Sequence, residues 1–305
     1  MKTVVFAYHN MGLTGLEALV RHGYDIAAVF THEDDPGEKC WFGSVKKWAQ
    51  EKGIKVYTTE EINSPQLIEK LTAIKPDAIF SFYYRKMIGR DILDLSRVGA
   101  FNVHGSLLPA YRGRCPVNWV LINGEKQTGV TLHYMIEKPD AGDIVGQKAV
   151  KIEISDTAKT LYDKLCVAAE KLLDEVLPLI KKEQIPQQKQ NLSQGSYYGG
   201  RRPEDGRIDW KKSANEIYNL IRGVTDPYPG AFAFLDNGDK IIIWWGETTN
   251  TKETASGKLI ITEKEVLVQT GENAIKIIDV EVNGQRLKDE QIYNYFKDGK
   301  VAELK

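Results

Sequence analysis

Cysteine is scarce in this sequence, and what there is does not pair. The 305 residues hold only Cys40, Cys115 and Cys166, an odd number with wide gaps. That argues against a disulfide framework, a thiolate zinc site and a C-x-x-C redox motif, and predicts free thiols in a reducing compartment. Histidine is also sparse. His9, His22, His32, His104 and His133 include no i, i+4 pair, so no metal is expected. Long apolar runs are missing: no window approaches the ~18 residues of a membrane-spanning helix. The opening "MKTVVFAYHN" is apolar only as far as Ala7. It is too short for a secretory signal core and lacks a small-residue cleavage site, so it reads as a first strand. The expectation is a cytoplasmic protein without a membrane partner. Charge of one sign does not dominate either, the net being -1. With 27% charged and 42% hydrophobic residues, the composition is that of a folded globular chain and not of a disordered one.

What is present is an alternation. Apolar runs at 3–8, 25–32, 55–59, 76–84 and 98–106 read as strands. Helical spacing at 14–23, 43–53, 64–75 and 89–95 separates them, with Ser44 as a cap. Strand and helix in turn imply right-handed crossovers and a mostly parallel, Rossmann-like sheet with helices. Ligands of such sheets sit beyond the carboxyl ends of the strands, where His9, His32, Tyr83, Tyr84 and His104 fall. Strand, turn and strand follow over 129–152, then a long amphipathic helix over 157–182. The polar, glycine-bearing stretch after it reads as a linker. A helix near 212–223 and closely spaced short strands then suggest a small β-barrel. The length also favours two domains, at roughly 150 residues each. The expected division is an α/β catalytic domain over 1–189, a linker over 190–205 and an OB-like barrel domain over 206–305.

The "MGLTG" after the first strand supplies Gly12 and Gly15 but not a three-glycine dinucleotide fingerprint, and no acidic residue closes the second strand. The two glycines are read as turn residues.

The stretch "AFNVHGSLLP" carries the chemistry. Alternation on a strand sends Asn102 and His104 to one face and Phe101 and Val103 to the other. The strand alone leaves two readings open: a polar pair satisfied by nearby loops, or a site. "EKPDAGDIV" favours the site, because it places Asp140 in a tight turn between strands. An amide that donates to a developing oxyanion, an imidazole that handles a proton and a carboxylate that favours the charged imidazole suit acyl transfer. Ser106 lacks the nucleophile-elbow context, so the attacking group is expected on a substrate, for instance an amine.

The run "FNVHGSLLPAYRGRCPVNWVLINGEKQTGVTLHYM" followed by "PDAGDIV" resembles the formyltransferase family that uses 10-formyltetrahydrofolate. The Asn-x-His pair, "SLLP", the "RG" loop, "TGVT" and "DAG" match in order and spacing, and the likeness extends over nearly the whole chain. It implies that Asn102 stabilises the oxyanion, that His104 is the proton donor and that Asp140 raises the pKa of His104. It also implies a folate pocket lined by Lys86, Met87 and Ile88 and by Ile136, Glu137, Lys138, Pro139 and Asp140, largely through backbone groups. Arg114 would meet a ligand carboxylate or phosphate. His133 is given no direct role. Arg201 and Arg202 read either as solvated or as contacts to a nucleotide phosphate. Within the family, "AYHNMG", "GEKCWFGSV", "FSFYYRKMI" and "YRGRCP" resemble members that formylate UDP-4-amino-4-deoxy-L-arabinose for lipid A modification and polymyxin resistance. In those bifunctional proteins a decarboxylating dehydrogenase forms the other half, so a dehydrogenase domain or partner is implied too. Two alternatives stay open: another nucleotide-linked amino sugar, such as a dTDP-amino-hexose, and methionyl-tRNA. Nucleic acid is the less favoured partner. Residues 204–305 carry 14 Lys or Arg against 18 Asp or Glu, a net of -4, and the loop "THEDDPGEK" is acidic.

Overall fold

The computed structural model describes residues 1–34, 40–251, 255–262, 264–299 and 301–305. Most of the acidic loop named above, residues 35–39, lies outside them. The chain forms two compact units. One comprises Met1–Pro116, Gln127–Lys151 and Tyr162–Gly199; the other comprises Val117–Lys126, Ile152–Leu161 and Gly200–Lys305.

The first unit alternates as the apolar runs predict. β1 (Lys2–Ala7), α1 (His9–Arg21), β2 (Asp25–Phe30), α2 (Val45–Glu51), β3 (Val56–Tyr57), α3 (Pro65–Ile74), β4 (Ala78–Phe82), α4 (Arg90–Leu93) and β5 (Gly99–His104) follow in order. After β6 (Arg112–Gly113) and α5 (Pro116–Ile122, which from Val117 onward belongs to the second unit) come β7 (Gln127–Tyr134), β8 (Ile144–Lys151), α6 (Ala158–Lys181, in this unit from Tyr162 onward) and β9 (Tyr197–Tyr198). The main sheet runs β3-β2-β1-β4-β5-β7-β8. Its first five strands are parallel, while β7 and β8 pair antiparallel. β1 and β4 are buried almost throughout, which is why they read as unbroken apolar runs. The order reverses between β1 and β4, the point at which crossovers leave a crevice above the strand ends.

Ser44 caps α2, its Oγ accepting from Lys47 N–H at 3.2 Å. α1 departs from expectation. It starts at His9, directly after β1, so Gly12 and Gly15 lie inside a helix and not in a turn. The reason is packing: a Cβ on Gly15 would collide with the ring of Phe82, and one on Gly12 would press on Ala7 and Val45 at 3.1–3.2 Å. The glycines let α1 lie close on the sheet. α6 covers α1 in turn, with Tyr24 Oη–H donating to Leu177 O at 2.7 Å and Arg21 pairing with Asp174. Among the described residues no helix is long and apolar enough to cross a membrane.

In the second unit α7 (Ala214–Val224) opens with a Ser213–Glu216 capping box and buries Ile217, Tyr218 and Ile221. It is followed by β10 (Ala231–Phe234), β11 (Lys240–Thr249), β12 (Leu259–Ile261), β13 (Val266–Gln269), β14 (Ala274–Val282), β15 (Gln285–Lys288) and α8 (Glu290–Phe296). The strands form one antiparallel sheet, β10-β11-β14-β13-β12, with β15 also on β14. The chain end joins its two edges. Lys305 exchanges backbone hydrogen bonds with Phe234 at 2.7 and 2.9 Å, Leu259 N–H reaches Ala302 O at 3.0 Å and Leu304 N–H reaches Gly257 O at 2.8 Å. Residues 302–305 thus close the sheet into a small barrel and remove its open edges.

Candidate active site

Asn102 and His104 stand on the last turn of pleat in β5. The antiparallel register of β5 and β7 sets Asn102 opposite His133 and His104 opposite Thr131. Residues opposite one another share a face, so two more polar side chains join the pair. The connection from β7 to β8 then folds back over them. It can do so because Gly142 has no Cβ; one there would strike the Tyr134 carbonyl. Asp140 takes a left-handed backbone with φ of 52°, which costs a non-glycine residue conformational energy and turns its carboxylate inward.

The result is a closed polar group. Asp140 Oδ1 lies 3.5 Å from His104 Nδ1 and 3.5 Å from His133 Nε2. The side chains of His104, His133 and Asp140 are only 7%, 2% and 13% exposed, so their electrostatics are weakly screened. Backbone groups fix the orientations. His104 Nε2–H donates to Tyr111 O at 2.8 Å, Gly113 N–H donates to Asp140 Oδ2 at 2.8 Å and His133 Nδ1–H donates to Tyr134 O at 2.8 Å. With its proton on Nδ1, His133 accepts on Nε2 from the Asn102 amide at 3.1 Å. One amide hydrogen of Asn102 is thereby held and the other is set in direction.

The loop that supplies Tyr111 O and Gly113 N–H is tightly wound, with φ of 58° at Tyr111, 97° at Gly113 and 54° at Cys115. It is tied down by Thr131, whose Oγ1 donates to Ser106 O at 2.7 Å and accepts from Leu108 N–H at 3.1 Å.

Burial pushes the His104 imidazole below the usual histidine range. The Asp140 carboxylate and the Tyr111 carbonyl pull it up, and His133 pushes it down; burial prevails. Asp140 favours the charged ring, the direction expected of it, and that pull offsets desolvation only in part. At 3.5 Å, His104 Nδ1 and Asp140 Oδ1 make a close approach and not a hydrogen bond. Burial by itself would raise the Asp140 pKa; the attraction of His104 and His133 in their charged forms, together with the Gly113 N–H, more than reverses this and holds the carboxyl well below its ordinary range.

The other expected residues divide. Lys86 and Met87 line a cavity of 670 Å³ with Arg85, Arg114 and residues 60–65. Asn102, His104 and Asp140 are not among its lining residues. Arg114 lies next in sequence to Gly113 and makes no ion pair among the described residues. Ile88 turns down into the core with Ile62 and Ile92, and Met135 packs against that cluster. The two expected folate-lining segments therefore meet through one core, with Met87 and Ile136 exposed above it at 53% and 47%. Glu137 and Lys138 are exposed, and Pro139 is half-buried. The Asn63 amide clamps the first segment, donating to Met87 O at 3.0 Å and accepting from Gly89 N–H at 2.7 Å. Lys86 bonds to Glu60, to both its carbonyl and its carboxylate. Arg201 lies over the Trp119 ring, 4.6 Å from its centre.

His133 and Asn63 were not singled out from the sequence as site residues. For His133 a signal existed: pairing "AFNVH" antiparallel with "TLHY" places it beside Asn102. For Asn63 no sequence signal is apparent.

Comparison with known proteins bears on the whole chain. The formyl transferase family matches residues 1–177, and the formyl transferase C-terminal domain matches residues 201–297. Solved structures share the fold at low identity. An N-formyltransferase from Helicobacter canadensis, in complex with folinic acid and dTDP-3-aminofucose, is 24% identical with a TM-score of 0.69, over 91% of this chain and 98% of its own. WlaRD, a sugar 3N-formyl transferase in the presence of dTDP and 5-N-formyl-THF, is 22% identical with a TM-score of 0.69, over 93% and 98%. A 4-N formyltransferase from Francisella tularensis is 21% identical with a TM-score of 0.67, over 80% and 96%. With the family matched across more than half its length, the chain belongs to the formyl transferase family.

Proposed function

We propose that this enzyme moves the formyl group of 10-formyltetrahydrofolate to the 4-amine of a UDP-linked amino sugar, UDP-4-amino-4-deoxy-L-arabinose. The observation that carries the reading is the group of Asn102, His104, His133 and Asp140 at the end of β5. It offers an oxyanion donor, a proton carrier and a buried carboxylate with no nucleophile among them. The acceptor therefore brings the nucleophile.

In the proposed reaction the neutral amine attacks the formyl carbon and negative charge gathers on the formyl oxygen. The Asn102 amide, oriented by His133, donates to that oxygen. The attacking nitrogen becomes cationic and yields a proton to His104, whose charged form Asp140 favours. Collapse breaks the bond from carbon to folate N10, and N10 takes the proton from His104. One C–N bond forms, one breaks, and one proton moves from amine to N10.

The pterin would lie against the backbone of 86–88 and 136–140, where exposed Met87 and Ile136 offer apolar contact. Arg114, which lines the same cavity as Lys86 and Met87, would meet an anionic part of a ligand. The likeness to structures holding folinic acid or 5-N-formyl-THF supports the donor, and the likeness to sugar N-formyltransferases supports the acceptor class. A second reading has equal claim on the nucleotide: neighbours with dTDP or a dTDP-amino sugar favour a dTDP-linked acceptor. Methionyl-tRNA is disfavoured by the net of -4 over residues 204–305.

The deciding experiment offers UDP-4-amino-4-deoxy-L-arabinose, dTDP-amino-hexoses and methionyl-tRNA, each with 10-formyltetrahydrofolate, and scores N-formyl product by mass. Product from the UDP sugar alone supports the first reading. Product from a dTDP sugar selects the second, and product from none of them removes both.

A further inference from the structure

The stretch after α6 does more than connect. Gln188 exchanges two backbone hydrogen bonds with Ile144, at 2.8 and 2.9 Å. The Gln190 side-chain amide donates to the carbonyls of Asp140 at 3.0 Å and of Gly142 at 2.6 Å. Ser196 Oγ accepts from Tyr111 N–H at 2.8 Å, and Ser196 O accepts from Arg112 N–H at 3.0 Å. β9 then pairs with β6, and the Tyr198 ring stacks on Tyr111 at 5.0 Å with 9° between the planes. One segment thus grips both structures that orient the central pair: the turn that carries Asp140, and the loop whose Tyr111 carbonyl and Gly113 N–H hold His104 and Asp140.

We propose that Gln190 is a positioning residue for the Asp140 carboxylate, and that residues 188–198 form a clasp that sets the geometry of the His104–Asp140 pair. Its catalytic meaning rests on the formyl-transfer reading above. A primary amide has two N–H groups that diverge, and here both land on carbonyls two residues apart. Those carbonyls converge only while Asp140 keeps its left-handed backbone, a conformation that relaxes unless the surroundings hold it. Among the described residues the amide's own oxygen is buried with no partner. Its orientation is therefore dictated by the two carbonyls at the expense of an unsatisfied acceptor, as flipping the amide would set oxygen against oxygen.

The test uses the full-length protein and two readouts. The first is the titration of His104, followed by ¹⁵N NMR of histidine-labelled, ligand-free protein. The groups facing His104 are Asp140 from the β7–β8 connection, His133 from β7 and the Tyr111 carbonyl. Gln190→Met keeps the length of the side chain and removes both donors. It is expected to move the His104 midpoint to lower pH, because the carboxylate that favours the charged ring swings away. Lys189→Ala, an exposed side chain on the same segment, is expected to leave it in place. The second readout is kcat for formyl transfer, expected to fall about 10- to 100-fold in Gln190→Met with KM for the acceptor little changed. Gln190→Leu, which also lacks both donors and adds no charge, is read in the same way should the Met variant not fold. A folded variant whose His104 titrates as in the wild type overturns the proposal. Lack of formyl transfer by the wild type would sink the functional reading but leave the titration to decide the role of Gln190.

Discussion

Replacing Asp140 by asparagine removes one charge and almost no volume. The amide oxygen can still accept from Gly113 N–H, so the turn is expected to survive. What is lost is the attraction between a carboxylate and a charged imidazole. At the observed 3.5 Å this is about 5 kcal/mol for an effective dielectric constant of about 20. The asparagine dipole recovers a part, leaving a loss of about 3–4 kcal/mol on the state in which His104 holds the amine's proton, or roughly 100- to 1000-fold in rate. The sign of the pH effect is fixed. Asp140 favours charged His104, so its removal lowers the His104 pKa further below the usual range. The limb on which His104 loses its proton therefore moves to lower pH. The assay is the initial rate of N-formyl product between pH 5 and pH 9 (values that bracket the usual range of about 6.5 for histidine), with wild type and variant in parallel. A variant within a few-fold of wild type, with a superimposable profile, would refute the coupling between these two residues.

Three further outcomes are expected. Asn102→Ala lowers kcat about 100- to 1000-fold, the usual loss for one oxyanion donor, while calorimetry still shows formyl-donor binding; a near-normal rate would exclude the amide from the transition state. Asn63→Ala frees the Met87–Gly89 backbone of two hydrogen bonds and raises KM for the formyl donor about 10-fold with kcat nearly intact, whereas an unchanged KM would detach this loop from donor binding. Leu304→Ala, at a side chain 1% exposed in the segment that closes the barrel, costs about 2–5 kcal/mol in denaturant unfolding. A loss well under that range would show that the chain end is not integral to the barrel.

The alternation of strands and helices was legible because its causes are local. β1 and β4 are buried on both faces and read as apolar runs; Ser44 caps the helix it precedes. The pairing of Asn102 with His104 was legible too, since a two-residue spacing on a strand fixes a shared face. The start of α1 was not, because glycine signals a turn or a close approach equally well, and only the ring of Phe82 decides between them. His133 escaped notice because a histidine on a buried strand carries no mark of its neighbours; antiparallel register supplies them. The clasp around Asp140 was hidden for a related reason. Polar, glycine-bearing sequence looks the same whether it runs free or returns to bond with a distant turn.

The sequence by itself determined the α/β class and the order of its elements, which follow from periodicity, and it brought forward Asn102, His104 and Asp140 as candidates, through side-chain chemistry along short stretches and the resemblance those stretches carry. Tertiary structure alone decided that burial lowers the His104 pKa, that His133 aims Asn102, and that the last residues close the barrel. Each of those depends on how deeply a group is buried and what faces it, and desolvation and contact are properties of the folded chain, not of its neighbours in sequence.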